Sequence, residues 1–433
     1  MNDQTALIQS LQESRDRLLE LINSLSDEQL EVPYSPGINP PVWELGHSAF
    51  FFERFILQHL DHKAPYNPAL DEIWDSFELA HEDRWTPNLF PDKADSLRYF
   101  DDIFQQVKTR IQRNKLTDSD LYMYKYAIFH LNMHLESMVW CRQTLGYSAP
   151  LATSSSIPPG TGSTPQALCN DIEVPSGRYR IGMPANSKQY ATTDFCFDNE
   201  KPGFTAEVAS FRIAPTLVTN GEFIEFIEAG GYENDALWRM AGLKWRNQQR
   251  ARHPIFWKKI EGVWHERHFD HWRPLVADRP VKHVCYWEAQ AYCVHNNRRL
   301  PTEIEWEAAA LGNLEDLPFK KFPWGNNMDK SKVDMDCTHM ASLSVNDLSE
   351  GDSPFGCRQM IGTLWEWTDS LFMPYDGFVT DVYPFMSTLQ FGDHRVVRGG
   401  SCATASNLIR GTYRQAYTPE RNDVFAGFRT CAK

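Results

Sequence analysis

Over residues 1–147 the apolar positions recur at the three-to-four-residue spacing of a helix face. Leu7, Leu11, Leu18, Leu19 and Ile22 form one such stripe. Ser26, with Glu28 and Gln29 close behind it, predicts the start of a short second helix. Asn39-Pro40-Pro41 punctuates the chain, and Val42–Leu60 then predicts a long helix rich in Phe. Asp95–Arg113 predicts another, with Leu97, Phe100, Ile103, Phe104 and Val107 on one face, and Ser119–Leu145 the last of the four long ones. Four long helices joined by loops imply an up-and-down bundle.

The pattern then changes. Ser148–Pro165 contains four prolines and no periodicity, which reads as a linker. Beyond it, short turn-bounded segments dominate. Glu173–Met183 alternates around Pro175 and Gly177, as a strand pair with a turn would. Helices are predicted at Asn220–Ala229, at Tyr286–Arg298 and from Thr302, where Thr302 and Glu305 have capping-box spacing. The organisation expected is therefore α+β, with a helical domain at 1–147, a linker at 148–166 and an irregular, strand-bearing domain at 167–433.

Composition narrows the function classes. A chain of 433 residues suits two or three domains and buries a core without staples. With 43 Lys+Arg against 57 Asp+Glu the net charge is −14, and no basic cluster stands out, which argues against nucleic acid as a partner. No apolar run reaches the ~18 residues of a membrane span. The N-terminus, MNDQTALIQSLQESRDRLLE, lacks a signal-peptide core, so a cytoplasmic protein is expected. Nine cysteines, an odd number without a CxxC pair, read as reduced thiols and not as a disulfide framework or a thiolate zinc site. Fourteen Trp point to irregular ring packing or a ring-lined pocket.

The candidate chemistry lies in the helical domain. His130 and His134 are four apart in a largely apolar stretch, so both imidazoles reach one point on one helix face. His47 lies on another predicted helix in a similar setting. Most HxxxH pairs are surface or satisfied core residues, but a third buried imidazole needs a partner, and bundle cores commonly hold metals between facing helices. Imidazole suits Zn, Cu, Fe and Ni, and spacing alone leaves the choice open.

More specific strings lie further on. FDNEKPGF (197–204), TNGEFIEFIEAGGY (219–232), RLPTEIEWEAAA (299–310), GTLWEWTDS (362–370), RVVRGGSCAT (395–404) and FAGFRTCA (425–432) resemble the formylglycine-generating-enzyme-like domain, whose irregular fold is related to C-type lectins. Glu303, Trp306, Trp365 and Trp367 look like packing hallmarks of that core. The string from His130 to Glu136 reads HxxxHxE, as in DinB-like helical bundles. The combination, over essentially the whole chain, resembles the nonheme iron sulfoxide synthases of ergothioneine biosynthesis. NPPVWELGHSAFFFERF, DSFELAHEDRW (75–85) and YRQAYTPERNDVFAGFRTCA (413–432) look most similar to the selenoneine synthase branch.

The resemblance implies iron(II), Fe(2+), on His47, His130 and His134. It implies hercynine (Nα-trimethylhistidine), a thiol or selenol donor and O2 as small-molecule partners, and an active site between the domains. Sulfur or selenium would be joined to the imidazole C2 carbon, and a selenosugar donor would lead to selenoneine. Gln415 matches a position that contacts the hercynine imidazole, and Arg421 a donor-binding arginine. Tyr417 stands where one branch has an acidic residue for the amino-acid part of the donor, which speaks against gamma-glutamylcysteine. Arg84 is a further substrate-binding candidate, with a surface salt bridge as the alternative. A tyrosine is expected as proton donor, Tyr375 first and Tyr417 second. Glu136, two residues beyond His134, faces away from the metal on a straight helix and either orients a ligand histidine or pairs with a cation. Competing readings are an ergothioneine-type synthase using cysteine or gamma-glutamylcysteine, a formylglycine-generating oxidase, a non-catalytic binding module and a zinc enzyme. Against the oxidase, Cys402 has no second cysteine before Cys431.

Overall fold

The computed structural model describes residues 3–151, 170–184 and 195–433, which fall in two compact units. The first comprises residues 3–151 with Phe195, and the second residues 170–184 and 196–433. The linker predicted at 148–166 lies, beyond Leu151, outside the described residues.

Four helices build the first unit: α1 (Asp3–Asn23), α2 (Pro41–Phe52), α3 (Lys93–Arg113) and α4 (Asp118–Leu145). Helices α1 and α4 pack together, as do α2 and α3, and α2 also packs on α4. Pro41 opens α2 at a position where a missing N–H has no consequence. Every residue of α2 except Val42 is buried, so it is the inner helix, and its Glu44 and His47 must find partners inside the bundle. Asp92 caps α3, whose buried face carries the predicted Phe100, Ile103, Phe104 and Val107, extended by Tyr99 and Ile111. Thr117 and Asp120 form a capping box on α4, and Gly146, at φ 71°, ends it in the left-handed conformation.

The helix predicted at Val42–Leu60 is continuous but not uniform. After Phe52 it widens into a π-helical stretch, Glu53–Gln58, and closes with a short α turn at His59–Asp61. Such widenings are uncommon. This one carries the buried carboxylate of Glu53, which accepts hydrogen bonds from Tyr66 N and Tyr99 Oη, both at 2.5 Å. Phe195 completes the unit, its ring against Tyr122, Tyr126 and Phe129 of α4.

The second unit is built from short strands. One four-stranded sheet runs in the order Ile172–Val174, Phe211–Ile213, Cys431–Ala432, Arg298–Arg299. A second runs Arg414–Tyr417, Arg395–Arg398, Trp365–Leu371, Ala426–Gly427, the last pairing in parallel. Gly177–Ile181 pairs with Phe204–Val208, and Trp257–Ile260, Val263–His268 and His271–Pro274 form a meander. The strand pair predicted within Glu173–Met183 needs correction. Both strands exist, but Val174 pairs with Phe211 and Gly177 with Val208, so they belong to different sheets. Pro175 has no N–H to continue a ladder, and the chain changes sheet there.

Helices Asn220–Glu228 and Glu303–Leu311 match their predictions, and the box is formed: Glu305 N donates to Thr302 Oγ1 and Thr302 N to Glu305 Oε2. Tyr286–His295 stops three residues early because Arg298–Arg299 joins the sheet against Cys431–Ala432. Met240–Gln249 was not expected; only Gly242, Trp245 and Arg246 of it are buried, so its apolar signal is weak. The core holds Trp306, Trp365 and Trp367, fully buried, among paired charges: Glu366 with Arg429, Glu303 with Arg414, Glu307 with Arg398 and Glu200 with Arg410. The eight described cysteines are all buried. No described helix is long and apolar enough to cross a membrane.

Candidate metal centre

Helix α2 contributes one imidazole and α4 two. A ring nitrogen from each of His47, His130 and His134 lies within 4.8 Å of the others. His47 Nδ1 is 2.7 Å from the carbonyl oxygen of Trp74. That oxygen only accepts, so Nδ1 carries the hydrogen and Nε2 keeps its lone pair. His134 repeats the arrangement, with Nδ1 2.5 Å from Glu44 Oε2. Its Nε2 lies 3.2 Å from His130 Nε2. Two nitrogens each ~2 Å from one ion stand at most ~4 Å apart, so this spacing fits a shared metal.

Rings hold these rings in place. Trp43 stacks on His47 (4.5 Å, 11°) and Phe51 on His130 (3.6 Å, 10°). Burial, followed by repulsion from His134, pulls the His47 pKa down to about 3. Burial, then His134 and His47, takes His130 well below its ordinary value. Both are therefore neutral, which is the form that binds a metal. Glu44 is 2% exposed. Burial alone would raise its pKa, but the His134 charge and the hydrogen bonds from His134 and Asn39 outweigh it and hold the carboxyl below its usual range. Asn39 Nδ2 (2.9 Å) and Ser137 Oγ (3.1 Å) donate to its other oxygen. An all-imidazole donor set whose outer nitrogens are fixed by a carboxylate and a carbonyl fits a divalent transition metal.

Arg84 belongs to the layer behind this site. It is buried, its guanidinium lies 3.8 Å from the centre of the Trp43 ring, and Nη1 donates to Asn39 Oδ1 at 2.7 Å. A surface salt bridge does not describe it. Glu136 is buried on α4, and Glu44 is hydrogen-bonded to His134. Sequence reasoning passed over Glu44, although its place three residues before His47 puts both on one helix face. Trp74, whose backbone holds His47, left no signal in side-chain chemistry.

The remaining candidates lie in the second unit. Gln415 and Tyr417 alternate on strand Arg414–Tyr417 and so share a face. Arg421 stands 5.5 Å from the Tyr417 ring, and its guanidinium is held by Asp423 at 2.6 and 2.9 Å. Tyr375 is buried with the Arg414 guanidinium 4.0 Å from its ring centre. Its hydroxyl has no hydrogen-bond partner among the described residues, and burial pushes its pKa up, so it keeps its proton.

Residues 10–138 match the DinB superfamily, and residues 161–433 match the sulfatase-modifying factor enzyme 1-like domain. Hercynine oxygenase of Mycolicibacterium thermoresistibile is 31% identical over 432 residues, spanning 98% of this chain and 94% of its own. That of Mycobacterium tuberculosis is 32% identical over 426 residues, 97% of this chain and 96% of its own. The chain belongs to the hercynine oxygenase family. Similarity to the formylglycine-generating enzyme of Streptomyces coelicolor, 28% identical, covers only 63% of this chain. Membership of the hercynine oxygenase family accounts for both units, the helical one included.

Two predictions follow from the centre of this hercynine oxygenase relative. A Cβ at Gly46 would sit 2.4 Å from Trp74 Cζ3. Gly46→Ala must displace Trp74 and the carbonyl that orients His47. Metal affinity is expected to fall roughly 10–100-fold, as for loss of an outer hydrogen bond to a ligand, with about 1–3 kcal/mol lost from overpacking. Isothermal titration with metal and a thermal melt measure the two effects.

The second concerns acid. His47 has a folded pKa of about 3, against about 6.5 in an unfolded chain. Between these values the unfolded chain binds a proton that the folded one refuses, so stability falls as pH falls through that window. The slope is at most about 1.4 kcal/mol per pH unit for each such histidine, and His130 adds in the same direction. Metal-free protein should melt at a lower temperature at pH 5 than at pH 7. An unchanged melting temperature between them refutes the assignment of neutral, buried imidazoles.

Proposed function

We propose that this chain is an iron(II)- and O2-dependent oxygenase that acts on hercynine and joins selenium or sulfur to the imidazole C2 carbon. The favoured donor is a selenosugar, which makes it a selenoneine synthase. The observation that carries the reading is the convergence of three imidazoles, those of His47 and His130 buried and neutral, in a chain matching hercynine oxygenases along nearly its whole length. His47, His130 and His134 would hold the ion, which when bound supplies open coordination positions and the redox capacity that O2 requires.

This chain's own residues then have assigned tasks. Glu44 and the Trp74 carbonyl hold ligand nitrogens in position. Gln415 contacts the hercynine imidazole, Arg421 serves the donor, and Arg84, a substrate-binding candidate from the sequence, supports the site from behind through Trp43 and Asn39. Aromatic faces suit the trimethylammonium, which offers no donor hydrogen. Tyr375 is the proton donor: its buried phenol stays protonated at the Oη and is not committed to a described partner. Tyr417 is the second candidate. The selenium assignment rests on the strings at 75–85 and 413–432 and on Tyr417 in place of an acidic residue. A second reading, a hercynine sulfoxide synthase using cysteine or gamma-glutamylcysteine, is favoured by the 31–32% identity to hercynine oxygenases.

Metal analysis after anaerobic purification, followed by a donor competition, tests the proposal. Cysteine, gamma-glutamylcysteine and a selenosugar are offered together with hercynine, iron(II) and O2. A C2-selenated imidazole as the main product, found by mass spectrometry, is the expected result. Sulfur products alone select the second reading, and failure of hercynine to react with any donor overturns both.

A further inference from the structure

Arg84 reaches two of the three candidate ligands through other side chains. It sits in a single helical turn, Glu82–Trp85, that is pinned on both sides of it. His81 Nε2 lies 2.9 Å from the Ile38 carbonyl oxygen, and Trp85 Nε1 donates to that of Val32 at 2.8 Å. The first route runs through rings. The Arg84 guanidinium is 3.8 Å from the centre of the Trp43 ring, and the same indole stacks on His47 at 4.5 Å and 11°. One face of an indole has no room for two flat groups at such distances, so Arg84, Trp43 and His47 form a three-layer stack. Trp43 is buried, and its Nε1 donates to the Ile73 carbonyl at 3.2 Å, which fixes the middle layer.

The second route runs through hydrogen bonds. Arg84 Nη1 donates to Asn39 Oδ1 at 2.7 Å, and Asn39 Nδ2 donates to Glu44 Oε1 at 2.9 Å. Glu44 Oε2 in turn lies 2.5 Å from His134 Nδ1. A charged donor at an amide oxygen polarises the amide and makes its N–H a stronger donor. Arg84 therefore draws charge from Glu44 through Asn39, and Glu44 accepts less strongly from His134.

Both routes act in one direction. A carboxylate makes the histidine it bonds a stronger ligand, and Arg84 tempers that effect at His134. At His47 the guanidinium charge acts across the indole. Burial and then His134 lower the pKa of this imidazole most, and the Arg84 charge adds to them. Two of the three imidazoles thus donate less electron density than they would without Arg84. A fixed positive charge behind the site also opposes the higher charge state of a bound ion more than the lower one.

We propose that Arg84 is a positioning residue that tunes the metal centre: it raises the potential of a bound iron ion and so holds that ion in the iron(II) state. This role rests on His47, His130 and His134 being the iron ligands. It requires no contact between Arg84 and a substrate, and all of its residues lie in the helical unit.

A redox titration of the iron-loaded full-length protein, without substrate, tests it. Arg84→Met removes the charge and keeps a long side chain. At a fixed applied potential its ratio of iron(III) to iron(II) is expected to rise about tenfold, the effect of a unit charge at this remove, which is a fall of about 59 mV for a one-electron couple. Arg84→Lys keeps the charge and is expected to stay within about threefold of the unaltered protein. Arg84→Gln removes the charge but keeps a donor for Asn39, and it decides in place of Arg84→Met if a thermal melt shows the latter unfolded. A charge-free variant with the potential of the unaltered protein overturns the proposal. So does Arg84→Lys shifting as far as Arg84→Met, since shape and not charge would then set the potential. Metal analysis before the titration separates the two readings: an unaltered protein that binds no iron overturns the ligand assignment itself, and the role of Arg84 with it.

Discussion

Replacing His134 with alanine is expected to lower metal affinity by well over ~100-fold, more than the loss of an outer hydrogen bond to a ligand produces. Two separate consequences add here. One of three ring nitrogens is lost from the set that lies within 4.8 Å. Glu44 also loses its partner at 2.5 Å while remaining 2% exposed. Its carboxyl, now facing only Asn39 and Ser137, should rise in pKa and take up a proton, since burial is its largest influence and acts upward. A comparison separates the two consequences. Glu44→Gln keeps all three imidazoles and removes only the charge that fixes the His134 tautomer, so its affinity should fall by roughly 10–100-fold. Metal content after dialysis, measured for both variants beside the unaltered protein, checks the order. Retention of full metal by His134→Ala places the ion elsewhere.

What was legible in the sequence follows from which interactions are local. The bundle helices were readable above all because α1 and α3 carry apolar faces at helical spacing, Leu7, Leu11, Leu18 and Ile22 on one and Phe100, Ile103, Phe104 and Val107 on the other, all buried. His130 and His134 were readable because one turn of helix joins them. The partner of His134 lies 90 residues away and the carbonyl for His47 lies 27 residues away, so neither pairing had a local signature. The same reason explains the strands. Alternation marked Ile172–Val174 and Gly177–Ile181 as extended, but their partners at Phe211–Ile213 and Phe204–Val208 are set by tertiary pairing. Helix Met240–Gln249 has too few buried positions for periodicity to reveal it. The strings in the second unit carried more than periodicity did, because its core is held by individual charged pairs. Glu303, Trp306, Trp365 and Trp367 occupy that core as their strings suggested.

Glu366→Ala is expected to destabilise the second unit by about 3–5 kcal/mol, the range for breaking a buried ion pair from one side. Glu366 and Arg429 are both 0% exposed. Arg429 Nε and Nη2 donate to the two carboxylate oxygens at 2.6 and 2.7 Å. Trp306 Nε1 donates to the same carboxylate at 2.9 Å. Removing Glu366 therefore leaves a guanidinium charge and an indole N–H in a dry core. The carbonyls of Pro215 and Arg358 still accept from Arg429 at 3.1 and 2.9 Å, so the arginine stays in place while its charge loses its counterpart. At roughly 2–4 °C per kcal/mol for a unit of this size, the melting transition should drop by about 6–20 °C. Glu366→Gln keeps an acceptor for Trp306 and should fall between the two. The double change Glu366→Leu with Arg429→Met removes both charges and should cost less than Glu366→Ala alone, since apolar replacements of a buried pair are often neutral. A double variant less stable than Glu366→Ala would mean that shape and hydrogen bonding, not the unpaired charge, dominate at this point in the core. Thermal melts of the four proteins decide, and metal content below the transition should be unchanged in all of them, because the three histidines belong to the other unit.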